Sequence, residues 1–107
     1  MNQSSAFREY TDVIAPAKAP RATIGEIELL AQTFTLRIFV MRTKCSLDTV
    51  LSDGYFNDIT DVHLRKEDRI EIVANFDGVG EHALLVVDAV DKATGRPKVS
   101  LLQKYER

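Results

Sequence analysis

The residues of this chain that could carry out chemistry are few and stand apart from one another. The only cysteine, Cys45, has no second cysteine or histidine near it in sequence, so it predicts neither a disulfide nor a zinc site. A small apolar residue at a strand end is favoured over a reactive thiol. The histidines, His63 and His82, each adjoin a predicted strand, which indicates surface or half-buried side chains rather than a ligand or a base.

Two other segments share only some features of binding loops. Asp53, Asn57, Asp58 and Asp61 form an acidic group, but they lack the spacing and the terminal glutamate of an EF-hand calcium loop, so capping and turn roles are favoured. The glycines of Asp77-Gly78-Val79-Gly80 are typical of a phosphate-binding turn. This segment joins two predicted strands with no helix after it, so a hairpin is expected. The sequence therefore predicts no enzyme, no cofactor and no metal site.

Composition limits the remaining classes of function. A chain of 107 residues with 45% hydrophobic and 28% charged residues predicts one globular domain with a single core. Sixteen acidic and fourteen basic residues give a net charge of −2, which argues against a general nucleic-acid surface. No apolar run is long enough for a membrane helix, and the N-terminus lacks the residue order of a signal peptide. We therefore expect a protein without membrane or nucleic-acid partners, made in a cytoplasm or released by lysis.

The chain is predicted to begin with an extended N-terminal arm, residues 1–22, followed by a compact β-rich domain, residues 23–107. Pro16 and Pro20 exclude a helix or a central strand from the arm, because proline fixes its own φ and lacks an amide proton. An arm that lies across a neighbouring subunit and an arm folded back on its own domain are both open. The arm carries four candidate contact residues: Phe7, Tyr10, Val13 and Ile14.

The hydrophobic pattern of the domain predicts strands, tight turns and one short helix. Ser46 is expected to cap a helical turn over Leu47–Leu51, which Gly54 ends. Extended segments are expected over five stretches: residues 23–32, Phe34–Arg42, Arg69–Phe76, His82–Val90 and Lys98–Gln103. The last three would form an antiparallel meander. The predicted fold is mainly β, a small antiparallel β-barrel or sandwich with one short helix and an extended N-terminal arm.

The side-chain alternation also predicts which faces are buried. In Phe34–Arg42, the face of Phe34, Leu36, Ile38 and Val40 is expected to pack in the core, and the opposite, half-apolar face to contact the arm or a partner. The segment His82–Val90 is apolar almost throughout, which predicts a central strand covered on both faces. Five aromatic residues are predicted to lie in the core: Phe34, Phe39, Tyr55, Phe56 and Phe76.

A distinctive order of residues surrounds the short helix. It consists of Asp48-Thr49-Val50-Leu51, Gly54-Tyr55-Phe56-Asn57, Leu64, Asp68 and Ile70-Glu71-Ile72. This order resembles small structural proteins of tailed bacteriophages, among them capsid decoration (cement) proteins, and the resemblance covers roughly residues 34–103. The chain departs from the family at Glu67, where the turn before the strand usually has glycine. That departure puts the geometry of the turn in question.

The resemblance implies a phage virion component, most specifically a capsid decoration protein that binds the assembled shell and stabilises it. It implies the major capsid protein as partner, a homo-oligomer (trimer), and a location on the capsid surface of the virion. The motif residues Gly54, Tyr55, Phe56 and Asn57 would anchor the loop, while the apolar side chains of the arm would contact the capsid or another subunit. The alternatives are a head fibre base or tail-associated adaptor, and a small β-barrel module that binds nucleic acid or a host protein.

Overall fold

Five strands form a single sheet in the computed structural model, which describes residues 20–59 and 63–106. A short 3₁₀ helix, Ile24–Glu26, precedes the first strand, and a short α-helix, α1 (Leu47–Val50), follows the second. The strands are β1 (Ile27–Gln32), β2 (Arg37–Arg42), β3 (Arg69–Ala74), β4 (Glu81–Val90) and β5 (Pro97–Lys104). The arm residues Phe7, Tyr10, Val13 and Ile14, and also Asp61, lie outside the described residues.

The sheet is mixed and open. Its strands follow the order of the chain, with antiparallel pairs everywhere except between β2 and β3, which run parallel. The mainly β class and the β3–β4–β5 meander are confirmed, but an all-antiparallel sheet is wrong, and the sheet does not close into a barrel. The physical reason is the segment 43–68 between β2 and β3. A parallel pair needs a crossover of a dozen or more residues, and this segment is long enough to supply one.

A tight turn shortens the strand that was predicted over Phe34–Arg42. The Thr33 amide donates to the Leu36 carbonyl at 2.8 Å, and the Thr33 hydroxyl accepts from the amide of Leu36 at 3.2 Å. Strand β2 therefore begins only at Arg37. Phe34 lies in the turn and is fully exposed, so its predicted place in the core is wrong. Threonine favours this outcome because its hydroxyl competes with strand pairing for nearby amides.

The crossover segment 43–68 covers one side of the sheet, which we call the packed face. The buried strand residues on this face are Ile27, Phe39, Met41, Ile70, Ile72, Ala74, Ala83, Leu85 and Val87. They form one core cluster with six crossover residues: Leu47, Val50, Tyr55, Phe56, Ile59 and Leu64. The prediction that the Ile38 and Val40 side of β2 faces the core is therefore wrong, since the crossover lies on the other side.

We call the other side of the sheet the open face, because no described element packs against it. Its central side chains are only half-buried: Ile38, Val40, Arg69, Glu71, Val73, Leu84 and Val86. Strand β4, predicted to be covered on both faces, alternates instead between buried residues and half-buried ones. Within the described residues, the domain is therefore a two-layer structure that consists of the sheet and the crossover.

A buried ion pair joins the starts of the two parallel strands. The Arg37 guanidinium donates from Nε to Asp68 Oδ1 at 3.1 Å and from Nη2 to Asp68 Oδ2. The two side chains are only 11% and 6% exposed. Asp68 Oδ2 also accepts from the Arg65 amide at 2.8 Å, and Arg37 Nη2 donates to the His63 carbonyl at 2.9 Å. Such a two-point contact fixes orientation as well as distance, so it holds the end of the crossover against β2.

The turn before β3 includes a residue with positive φ. Glu67 has a φ of 73°, and its amide donates to the Val87 carbonyl at 2.8 Å. Glycine is favoured in this conformation because a Cβ atom is strained there. Glu67 is also the position at which the resembling phage family has glycine. Glu67 therefore stands in place of this glycine and still has a left-handed backbone, the conformation that glycine adopts most readily.

Replacing Glu67 with glycine should stabilise the domain. Release of the left-handed strain, about 1–2 kcal/mol, outweighs the added freedom of glycine in the unfolded chain, about 0.5–1 kcal/mol. We expect a gain of about 0.5–1 kcal/mol, which thermal unfolding would show as a rise of about 3–6 °C in Tm. The control is Glu67→Ala, which removes the carboxylate but keeps the Cβ and should give no such rise. An unchanged or lower Tm for Glu67→Gly would contradict the assigned strain.

Candidate interaction site

At the start of helix α1, two side chains accept hydrogen bonds from backbone amides of the helix: Ser46, which caps it, and Glu81 of strand β4. The Ser46 hydroxyl accepts from the Thr49 amide at 3.2 Å, as the sequence predicts. The Leu47 amide donates to Glu81 Oε1 at 2.9 Å, which ties the helix to the start of β4. The predicted helical turn Leu47–Leu51 is confirmed, with Leu51 as the closing residue. The crossover therefore starts from a fixed point on the sheet.

The loop Gly54–Asn57 after the helix needs a glycine at its first position. Gly54 has a φ of 83°, and a Cβ atom there would lie 3.0 Å from Asn57 Nδ2. The Asn57 amide donates to the Gly54 carbonyl at 3.0 Å and closes the turn. Any larger residue at position 54 would strain the backbone and displace the Asn57 side chain.

The two aromatic residues of this loop are fixed in the core. Tyr55 is 1% exposed and Phe56 3%, and their rings meet edge to face with centroids 5.2 Å apart. The hydroxyls of Tyr55 and Thr43 are 3.1 Å apart and share a hydrogen bond. Burial raises the pKa of the Tyr55 hydroxyl, so this group stays neutral in that hydrogen bond. The prediction that Tyr55 and Phe56 anchor the loop in the core is confirmed.

The first described residues are attached to the same loop. The Ala22 amide donates to the Tyr55 carbonyl at 2.9 Å, and Ala22 is buried. Arg21 and Asp58 form an exposed ion pair at 3.1 Å. Ala22, which the sequence analysis assigns to the arm, is therefore part of the packed structure. The chain enters the domain on the side of the crossover, not on the open face.

The candidate catalytic and ligand-binding residues do not come together. In residues 20–59 and 63–106, no group of three or more His, Cys, Asp and Glu side chains could hold a metal ion. Cys45 is half-buried, and Asp58 of the acidic group pairs with Arg21. The glycine turn is a hairpin, as predicted, in which the amides of Gly78 and Gly80 both donate to the Asn75 carbonyl. No helix in the described part of the chain is long and apolar enough to cross a membrane.

Three of the exposed large apolar side chains lie on the edge strand β1 and in the turn after it. Leu29 is 46% exposed, Leu30 is 63% exposed, and Phe34 is fully exposed. The register of β1 against β2 shifts between Leu29 and Ala31, which leaves Leu30 outside the regular ladder. We call these three residues the hairpin patch. Phe34 also lines a shallow groove that it shares with Arg65 and Lys66.

Sequence reasoning missed the hairpin patch because it placed Phe34 in a strand. The signal that could have found it is the pair of threonines on either side of Phe34, since their hydroxyls favour a turn. The Thr35 amide does donate to the Thr33 hydroxyl, at 3.3 Å. Phe34, between these two threonines, therefore lies in the turn and is exposed to solvent.

The open face has a charged centre with apolar neighbours. In one cross-strand row Arg69 lies between Ile38 and Val86, and in the next Glu71 lies between Val40 and Leu84. The Tyr105 hydroxyl donates to Glu71 Oε1 at 2.9 Å, and this bond raises the pKa of Tyr105. Arg69 Nε is buried and has no hydrogen-bond partner among the described residues. The centre of the open face therefore contains a hydrogen-bond donor, Arg69 Nε, that has no acceptor among the described residues.

Comparisons of the chain with protein-family models, with curated proteins and with solved structures found no match. The surfaces themselves therefore carry the functional argument. The aromatic residues Tyr55 and Phe56 lie in the core, and two surfaces remain: the hairpin patch on one edge and the open face, where Arg69 Nε is buried without an acceptor among the described residues. A scaffold with these surfaces is suited to binding another protein.

Replacing Phe56 with alanine should strongly destabilise the domain. Truncating a buried phenylalanine removes apolar contacts and leaves a cavity, which costs about 3–5 kcal/mol. Denaturant unfolding followed by circular dichroism would measure this loss. The matched control is Phe34→Ala, the same change at a fully exposed site, for which we expect a change within about 0.5 kcal/mol. Equal effects at the two positions would contradict the assignment of Phe56 as a core anchor.

Proposed function

We propose that this protein is a structural protein of a phage virion, a capsid decoration (cement) protein that binds the assembled shell and stabilises it. The observation that carries the proposal is the hairpin patch, whose three large apolar side chains contribute little to the domain's own core. Exposed apolar side chains grouped on one edge are typical of protein contacts. Its partner on the shell is the major capsid protein.

The resemblance around α1 directs the proposal to the virion. Two parts of that resemblance, the loop Gly54–Asn57 and the turn at Glu67, lie in the crossover. The positive φ of Glu67 supports the resemblance, because it is a conformation that favours glycine, the usual residue of the family at this position. The binding role thus rests on exposed surfaces, and the choice of a capsid as partner rests on the resemblance.

The hairpin patch offers two kinds of contact to a shell protein. Among the described residues strand β1 is an edge strand, so one row of its backbone amides and carbonyls is not paired by them and can add to a strand of a partner. Leu30 and Phe34 project beside that edge and would fill apolar pockets. Backbone pairing supplies affinity in such contacts, and side-chain pockets supply specificity.

A decoration protein acts by mass action on an assembled state. Because it binds the closed shell and not its separated parts, each bound copy shifts the equilibrium towards the shell. Moderate affinity is sufficient when many sites are occupied and when one oligomer bridges several neighbours. We propose a trimer for this role, since closed rotational symmetry is the usual result of self-association. A head fibre base or tail adaptor, by contrast, would be present in only a few copies per particle.

A nucleic-acid-binding module is the second candidate, and one observation favours it. The exposed ring of Phe34 shares its groove with Arg65 and Lys66, and a ring beside cations is a binding platform for single-stranded nucleic acid. The other described aromatic residues do not extend this platform, since Phe39, Tyr55 and Phe56 are buried, Phe76 lies under the Arg42 guanidinium and Tyr105 bonds to Glu71 on the open face. Steep loss of nucleic-acid binding with added salt would identify this role.

Replacing Phe34 with serine should weaken shell binding without affecting the fold. Loss of an apolar anchor at the centre of a contact costs about 2 kcal/mol or more, so we expect the affinity for particles to fall at least about thirtyfold. Co-sedimentation with particles stripped of this protein measures that affinity. Leu102→Ser, at an exposed leucine on the opposite edge strand, is the control and should bind as the unchanged chain does. Full binding by the Phe34→Ser variant would contradict the proposed contact.

Deleting residues 1–20 should leave a folded domain that binds particles weakly or not at all. The deletion keeps the Arg21–Asp58 ion pair and the Ala22–Tyr55 hydrogen bond, so the packed structure remains complete. The lost arm carries Phe7, Tyr10, Val13 and Ile14, the apolar residues proposed to contact the capsid or another subunit. Circular dichroism followed by co-sedimentation tests both parts. Unfolding would show that the arm belongs to the core, and undiminished binding would show that it is only a tail.

A further inference from the structure

The open face is unusual for a sheet with a parallel pair at its centre. Parallel strands are normally covered on both faces, since their connections pack over them. Here the crossover covers only the packed face, and the side chains on the other side of β2, β3 and β4 are half-buried by their sheet neighbours alone. Apolar side chains flank its centre on both sides: Ile38, Val40, Leu84 and Val86.

Arg69 shows what chemistry a partner of this face must supply. Its Nε atom is buried, and the described residues offer it no acceptor. The nearest carboxylate along the same strand face, Glu71, already accepts from the Tyr105 hydroxyl. A buried donor without an acceptor is costly, so the occupant of the open face should bring a carboxylate between apolar side chains.

The N-terminal segment of this chain has that composition. Residues Phe7–Ile14 contain two carboxylates, Glu9 and Asp12, between four apolar side chains. Eight extended residues span about 26 Å, and five strands measure about 19 Å between the two edge strands. The segment is therefore long enough to cross the open face, with a carboxylate placed near its centre.

The entry of the chain into the domain indicates which copy receives the segment. Ala22 is bonded to Tyr55 in the crossover layer, so the chain enters on the side opposite the open face. The linker Ala15–Pro20 contains two prolines, which make it stiff and limit its reach to about 19 Å. Because this linker starts on the crossover side, we expect the segment to reach the open face of an adjacent molecule in preference to its own open face.

We propose that Phe7–Ile14 of one copy covers the open face of a second copy, with a carboxylate of the segment paired with the Arg69 guanidinium. The inference rests on the proposed function in one respect, because it describes the subunit contact of the proposed oligomer. Each copy would give its segment to one neighbour and receive a segment from another. Such a heterologous contact would form the proposed trimer where a rotation of one third of a turn relates neighbouring copies.

Disulfide trapping in mixtures of full-length chains tests the proposal. Cys45→Ser supplies a background without cysteine, in which one protein carries Val13→Cys and a second, larger tagged protein carries Val86→Cys. After the two are unfolded, refolded together and oxidised, we expect a cross-linked heterodimer on a non-reducing gel. The control replaces Val86→Cys with Phe34→Cys, an exposed site in the β1–β2 turn, and should give little product. A yield no greater than the control overturns the proposal.

Two further variants test the assignment to a second copy and the carboxylate contact. A single chain with both Val13→Cys and Val86→Cys should form cross-linked oligomers, and a disulfide confined to the monomer would overturn the assignment to a second copy. Arg69→Met in the accepting chain should lower the heterodimer yield several-fold, and an unchanged yield would overturn the carboxylate contact. No particles are present in these assays. Their failure therefore leaves shell binding by the hairpin patch untouched, and failure of shell binding leaves them untouched.

Discussion

The parallel pairing of β2 and β3 is the constraint on which the rest of the structure depends. The chain must return from the end of β2 to the start of β3, and it does so across one face of the sheet. That return brings Tyr55 and Phe56 onto the sheet and produces a core that a five-stranded sheet alone would lack. The Arg37–Asp68 ion pair closes the path, since it joins the end of the crossover to the start of β2.

The same constraint decides which surfaces are left for function. A single crossover covers a single face, so the opposite face keeps apolar side chains and the buried Nε of Arg69 without a covering layer among the described residues. Strand β1 has no neighbour on its outer side among the described residues, and its leucines are exposed. The proposed contacts with the shell and with a second copy use these two surfaces. The residues of the resembling motif act instead through the core that they hold together.

Local features were predictable from sequence because they depend on near neighbours along the chain. The cap at Ser46, the left-handed backbone at Gly54 and the Gly78–Gly80 hairpin follow from side-chain and backbone preferences, and each is confirmed, although the helix ends at Leu51, before Gly54. Burial of Tyr55 and Phe56 was predictable for the same reason, as both follow a turn glycine and have large apolar rings.

Features that depend on the path of the crossover were not predictable. Both faces of β2 are apolar, with Ile38 and Val40 on one and Phe39 and Met41 on the other, so alternation alone cannot choose between them. The choice depends on the side of the sheet that residues 43–68 occupy. The parallel direction of β3 has the same origin, because strand patterns carry no information on direction. Phe34 was misplaced for a separate, local reason, since it was assigned to a strand and lies instead in the turn before β2.

The central claim is that the open face is covered in the whole protein by a segment outside the described residues. Hydroxyl-radical footprinting of the full-length chain measures this directly through the oxidation rates of Leu84 and Val86. The reference is a full-length variant with Phe7→Ser and Tyr10→Ser, and the exposed Leu102 is the internal standard. The account predicts slower oxidation of Leu84 and Val86 in the unchanged chain, with equal rates at Leu102. If Leu84 and Val86 oxidised at the same rates in the unchanged chain as in the variant, that result would contradict it.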